Sequence, residues 1–116
     1  MENVVKEKSK KFAVRIVKLY QYLTEEKREY VLSKQLLRSG TSVGANVREA
    51  LQGQSKADFI AKMSVSLKEI NETEYWLELL FETDFLSEAQ YTSIIADCNE
   101  LTRLLTSIVK TSRLKS

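Results

Sequence analysis

The chain contains no proline, where average usage of about 5% would supply roughly six in 116 residues. It has only three glycines, Gly40, Gly44 and Gly53. Few tight turns and long uninterrupted helices follow. Histidine is absent, which removes His-based general acid–base catalysis and nearly every common transition-metal site. Cys98 is the single cysteine, so an intramolecular disulfide is excluded and a reducing, cytoplasmic setting is expected. The apolar runs are only a few residues long, too short to span a membrane. The N-terminal stretch MENVVKEKSKKF carries no apolar core of a secretory signal. No linker, internal repeat or low-complexity stretch divides the chain, so one domain over residues 1–116 is expected.

What is present is helical periodicity in four segments. In the first, Val5, Phe12, Ile16, Leu19 and Leu23 share one face, with Ser9 at the missing turn. In the second, Leu36, Gly40, Val43, Val47 and Ala50 share a face, with Ser33 as the expected cap and Gly53 as the terminating C′ residue. Between them sit Ser39, Thr41, Ser42, Gly44 and Asn46, all poor helix formers. Such a helix depends on packing partners more than on propensity. Ser55-Lys56-Ala57-Asp58 resembles a capping box with Asp in place of Glu. It opens a third helix whose stripe is Phe59, Met63, Ser66, Ile70, Thr73, Leu77 and Leu80. Ser87-Glu88-Ala89-Gln90 opens a fourth, with Tyr91, Ile94, Cys98, Leu101, Leu105 and Ile108 on one face. The stretch from about Thr24 to Leu32 is the one long connection. Short connections favour antiparallel neighbours, so the predicted fold is all-α, an antiparallel up-down-up-down four-helix bundle.

Charge is unevenly distributed although the formal net charge is only +2. Lys6, Lys8, Lys10, Lys11, Arg15 and Lys18 face only Glu2 and Glu7 in the first 18 residues. Arg103, Lys110, Arg113 and Lys115 close the chain without an acid. In an up-down bundle these two segments meet at one end. The other end holds Glu25, Glu26, Glu29, Glu82 and Asp84, partly offset by Lys27 and Arg28. A basic pole is the electrostatic footprint of a phosphate-backbone binder. The competing reading is a solvated Lys-rich face, with Lys110 and Arg113 complementing the last helix dipole. Few aromatics interleave with the basic residues, so any RNA or DNA binding would be backbone-led and weakly sequence-specific.

Candidate chemistry is sparse. Glu69 with Glu72 and Asp97 with Glu100 are carboxylate pairs at i, i+3 on helices three and four. Converging, they would hold Mg²⁺ or Mn²⁺, an arrangement loosely similar to the all-α nucleotide pyrophosphohydrolases. Helix three is acid-rich throughout, so this metal-dependent hydrolase reading stands as the remote one, and no cofactor is expected. Ser39 and Ser42 have no histidine to activate them. Arg38 or Arg48 is expected to pair across helices with Glu49, Glu69 or Glu72, and Asn46 to bond a neighbouring helix. Gly40 and Gly44 have the small-x-x-x-small spacing of closely approaching helices, serving either the bundle interior or a subunit contact. Tyr75, Trp76, Leu79, Ile60 and Leu67 lie off the third stripe, a surplus that suggests burial against another subunit.

QLLRSGTSVGANVREA (35–50) followed by DFIAKMSVSLKEINETEYWLELL (58–80) closely resembles the bacterial four-helix bundle proteins called 23S rRNA-intervening-sequence proteins, or S23 ribosomal proteins. Gln35, Leu36, Arg38, Ser39, Ser42, Ala45, Asn46, Glu49, Ala50, Phe59, Lys68, Glu69, Glu72, Trp76 and Leu77 carry the resemblance. It implies an antiparallel bundle assembling as a homopentameric ring, with Arg38, Ser39, Gly40, Ser42, Gly44, Asn46, Glu49, Glu69, Glu72 and Trp76 as structural or assembly residues. Accessory variability proteins of diversity-generating retroelements are a related pentameric group that binds nucleic acid and partners a reverse transcriptase. A ring would repeat the basic pole (Lys6, Lys8, Lys10, Lys11, Arg15, Lys18, Lys110, Arg113, Lys115) around its axis and could hold RNA or DNA by avidity. The alternative expectation is a protein-interaction scaffold whose acidic flank or ring face docks a basic protein partner.

Overall fold

A computed structural model describes residues 3–115; Glu2 of the charge pattern lies outside the described residues. Four helices form: α1 (Val4–Glu25), α2 (Leu32–Leu51), α3 (Lys56–Glu82) and α4 (Glu88–Leu114). Neighbours in sequence pack against each other, and α4 returns to α1 to close the bundle. The body measures 46 × 24 × 20 Å. A 27-residue helix at 1.5 Å per residue spans about 40 Å, so the two longest helices run nearly its full length.

The apolar stripes meet in one continuous core. Phe12, Ile16 and Leu23 of α1 face Leu36, Val43 and Val47 of α2, and Met63, Ile70, Leu77, Leu101 and Leu105 complete it. Leu19, Phe59 and Tyr91 are only half-buried at its edge. In the last turns of α4 the buried residue is Val109, and the expected Ile108 is half-buried. Polar residues on the stripes are satisfied internally. The Ser66 hydroxyl donates to the Val43 carbonyl at 2.8 Å, and the Thr73 hydroxyl bonds Ser39 Oγ at 2.9 Å. Among the described residues no buried side-chain polar atom lacks a partner, which removes the penalty that would otherwise accompany serines in a core.

Gly40 and Gly44 bring α2 onto α1. A Cβ on Gly40 would lie 2.8 Å from Ile16 Cγ1 and Cγ2, and one on Gly44 would lie 3.3 Å from the Ser9 carbonyl oxygen. The close packing inside the bundle is thus the role these two positions fill.

Capping differs from the sequence reading at α2. Asn3 caps α1, Ser55 caps α3 through the Asp58 N–H, and Ser87 with Gln90 forms a reciprocal capping box on α4. The expected reciprocal bond from Asp58 is not part of the α3 cap. Ser33 does not cap α2. The helix starts two residues earlier, and the Glu29 carboxylate accepts from the N–H groups of Val31, Leu32 and Ser33 at 3.1, 2.8 and 2.7 Å. Ser33 is buried and donates its hydroxyl to the Glu29 carbonyl. Gly53 is not a left-handed C′ residue, since no glycine has positive φ; the left-handed positions are Arg28 and Asp84, in the two connections at the opposite end. The first connection, 26–31, is only slightly longer than 52–55 and 83–87, because the helices extend into what read as loop.

Candidate functional site

The two basic segments share one end of the bundle. Asn3, Val4 and Val5 at the start of α1 line a shallow depression with Leu104 and Ile108 of α4. Arg113 comes within 3.5 Å of Ser64 Oγ on α3. The cations, however, divide into two sets. Lys8 Nζ bonds Glu100 at 2.7 Å. Arg15 bonds Asp97 at 2.6 Å and reaches Ser93 Oγ at 2.8 Å. Expected as part of the phosphate-binding face, Lys8 and Arg15 bridge α1 to α4, because Asp97 and Glu100, one turn apart on α4, face α1. These pairs are about 40% exposed, and such surface pairs contribute roughly 0–1 kcal/mol each. Lys6, Lys10, Lys11, Lys18, Lys110 and Lys115 are exposed and have no carboxylate partner among the described residues.

The opposite end is less acidic at its surface than the residue count implies. Glu29 is turned inward under α2, with 9% exposure. Burial works to raise its pKa, but the Leu32, Ser33 and Val31 N–H groups outweigh that and hold it below the ordinary carboxylate value.

The polar motif residues gather on the α2/α3 face. The Arg38 guanidinium donates to Glu69 at 3.1 Å and to Glu72. The Trp76 indole donates to the same Glu72 oxygen at 3.0 Å. That bond, then Arg38 and the nearby Lys68, keep the Glu72 carboxyl below its usual range against the opposing effect of burial. The Glu72 bond in turn raises the Arg38 pKa. Arg38 is the member of the expected pair that crosses helices; Arg48 meets none of Glu49, Glu69 or Glu72, and Glu49 takes Lys62 at 3.3 Å. Asn46 bonds the Ser42 carbonyl of its own helix, not a neighbour. Ser42 donates to the Arg38 carbonyl. Trp76 and Leu67 pack against the bundle's own core, so the aromatic surplus is partly absorbed within the chain. Tyr75 stays 53% exposed, its ring 5.2 Å from Trp76 in an edge-on arrangement.

The two acidic pairs do not converge. Glu69 and Glu72 hold Arg38 between α2 and α3, whereas Asp97 and Glu100 hold Arg15 and Lys8 between α4 and α1. Among the described residues no cluster of carboxylates, Cys or His could hold a metal ion. The geometry required by the metal-dependent hydrolase reading is therefore missing. Cys98 is buried against the Ile70 carbonyl, and burial, helped by Glu74 and Glu78, pushes its thiol up to about 12. It is protonated and inert at neutral pH.

Arg48 was not singled out as a basic-face residue from the sequence. Its signal was present: it shares a helical stripe with Thr41, Gly44 and Ala45, and that stripe meets Lys6, Ser9, Lys10 and Ala13 across the α1/α2 seam. No described helix is long and apolar enough to cross a membrane.

Comparison with known proteins adds an independent line. Residues 1–107 match the 23S rRNA-intervening sequence protein family. A crystal structure of a protein of unknown function from the S23 ribosomal protein family of Bacteroides thetaiotaomicron VPI-5482 is 61% identical, with a TM-score of 0.92 over 93% of this chain and 96% of that one. No curated protein matches the chain.

Proposed function

The chain belongs to the 23S rRNA-intervening sequence protein family, and from that premise we propose that it is a non-enzymatic, self-associating bundle that binds the RNA or DNA backbone through its basic end. One observation carries this reading: Lys6, Lys10 and Lys11 of α1, Lys110 of α4 and Lys115 at its C-cap stand exposed without carboxylate partners among the described residues. Such an end attracts polyanions and gains from counterion release. In a pentameric ring five copies of the end would act together, so weak single contacts sum to useful affinity. Lys8 and Arg15 each hold an acid of α4, so they carry less of this reading than the unpaired lysines. Exposed Val65 and Tyr75 on α3, the latter beside Trp76, support assigning the subunit contact to that helix's outer face. Light scattering in parallel with anisotropy titrations of a labelled RNA hairpin and a DNA duplex tests the reading. Binding by a particle of about five times 13.4 kDa supports it; a protein that binds neither probe at low salt sinks it.

A second reading, a protein scaffold whose acidic flank docks a basic protein, draws on Glu74, Glu78 and Glu82 along α3. Burial first, and then these three acids, raise the Tyr91 phenol above its ordinary value. A complex with a basic protein partner that weakens as salt rises, and no affinity for either nucleic acid, favours that alternative.

A further inference from the structure

Along the α1/α2 seam, Lys6 and Lys10 form one wall and Arg48 the other, above a floor of Ser9, Gly44 and Ala45. The cleft has a volume of about 250 Å³. Its shape follows from spacing. Lys6, Ser9 and Lys10 lie at i, i+3 and i+4 on α1, and Gly44 and Arg48 lie at i and i+4 on the antiparallel α2. Gly44 sits so close to the Ser9 carbonyl that any side chain there would press on the α1 backbone. The small floor leaves the space between the long cationic side chains open.

Its charge is unbalanced. None of the three cations has a carboxylate partner among the described residues. The acids adjacent to them in sequence face elsewhere: Glu7 lines the α1/α4 seam, and Glu49 holds Lys62 of α3. Helix electrostatics explain only part of this. Arg48 lies in the last turn of α2, where a cation complements the dipole. Lys6 lies in the first turn of α1, where a cation opposes it, and Lys6 with Lys10 is a like-charged i, i+4 pair that weakens the helix. Three uncompensated cations converging over a small-residue floor fit a tetrahedral oxyanion, with the Arg48 fork suited to two of its oxygens.

We infer that this cleft is a phosphate site, one per subunit, that seats a phosphodiester of the nucleic-acid backbone. The inference rests on the proposed nucleic-acid binding and narrows it to three residues, one of them outside the terminal basic segments.

The test compares two variants of equal charge change in the full chain, each verified as folded by far-UV circular dichroism. One carries Lys6→Gln, Lys10→Gln and Arg48→Gln. The other carries Lys27→Gln, Arg28→Gln and Lys34→Gln at the opposite end. Anisotropy titrations of the RNA hairpin are run from low to moderate salt. The cleft variant is expected to flatten the log K against log salt slope by roughly 0.7–0.9 for each cleft engaged, since each cleft seats one phosphate. The other variant is expected to leave the slope unchanged. Equal effects of the two variants overturn the site, because net charge alone then explains binding. In parallel, inorganic pyrophosphate is titrated into unmutated, isotope-labelled protein. Shifts at the Lys10, Gly44, Ala45 and Arg48 amides are expected, and their absence overturns the site without recourse to any variant. Pyrophosphate shifts in a protein that binds no RNA or DNA would uphold the cleft and refute the nucleic-acid reading. RNA binding with no cleft-specific loss would do the reverse.

Discussion

Replacing Glu29 by alanine probes a contact on which the start of α2 depends. Its carboxylate accepts three backbone N–H bonds at 2.7 to 3.1 Å, and the residue is 9% exposed. Loss of an ordinary N-cap costs about 0.5–2 kcal/mol. Here one charged acceptor serves three donors, and its charge meets the positive end of the helix dipole, worth roughly 0.3–1 kcal/mol more. Water enters the truncated site and recovers part of the loss. Glu29→Ala is therefore expected to destabilise by about 2–3 kcal/mol, and Glu29→Gln, which keeps one acceptor but no charge, by about half as much. At this chain length the alanine variant should melt roughly 10 °C lower. Urea and thermal unfolding, followed by circular dichroism at one fixed protein concentration, measure this, since self-association makes Tm concentration-dependent. The pH dependence has a definite sign. The folded-state pKa of Glu29 is lowered, so its contribution is complete above the unfolded carboxylate value, about 4.3, and is lost as pH falls through the folded value. The gap between the native protein and Glu29→Gln should hold steady from about pH 5 to 8 and close on further acidification. An alanine variant within about 0.5 kcal/mol of the native protein, or a gap that widens in acid, would refute the reasoning, because surface changes of no consequence fall in that range.

Further outcomes follow from the same geometry. Gly40→Ala places a methyl 2.8 Å from two Ile16 carbons and should destabilise by about 1–3 kcal/mol. Gly44→Ala meets its nearest atom at 3.3 Å and gains up to about 1 kcal/mol of helix propensity, so it should be clearly the milder of the two; the opposite order in urea unfolding would contradict the packing described. Trp76 is the one tryptophan and donates to Glu72, whose pKa is lowered; its fluorescence should stay constant through the usual carboxylate range and change only at lower pH. A transition centred above the ordinary carboxylate value would be incompatible with that bond. Cys98 should resist a thiol reagent at pH 8 in the folded state and react fully in denaturant, whereas prompt labelling of native protein would mean that its burial is wrongly placed.

The helices were legible because each carries its apolar residues at one helical period over many turns. Met63, Ile70, Leu77 and Leu80 landed in the core as expected, as did Ile94, Cys98, Leu101 and Leu105. The polar core residues Ser66 and Thr73 were legible too, because they occupied stripe positions that only the core could claim. Where the reading failed, the deciding quantity was absent from the periodicity. A stripe says which side is buried but not which neighbour each flank meets. Lys8 and Arg15 read as free cations because nothing in α1 signals that Asp97 and Glu100 of α4 rotate toward them. Glu29 read as surface charge because a carboxylate capping from outside the helix leaves no pattern like that of Ser87 with Gln90. Arg48 read as a salt-bridge partner, yet it faces α1, where the small residues Gly44 and Ala45 leave the seam open. Ile108 and Val109 are adjacent apolar residues near a helix end, where a small rotation decides which is buried.

The most direct test of the central claim is the salt dependence of RNA and DNA binding by the unmutated protein, with particle mass determined in the same buffers. The account expects affinity for both probes to fall log-linearly with salt, by about 0.9 in slope per phosphate neutralised on duplex DNA, with an assembly of several subunits doing the binding. No binding at 50 mM salt, or an affinity indifferent to salt, would contradict it and leave the exposed lysines of α1 without a phosphate to meet.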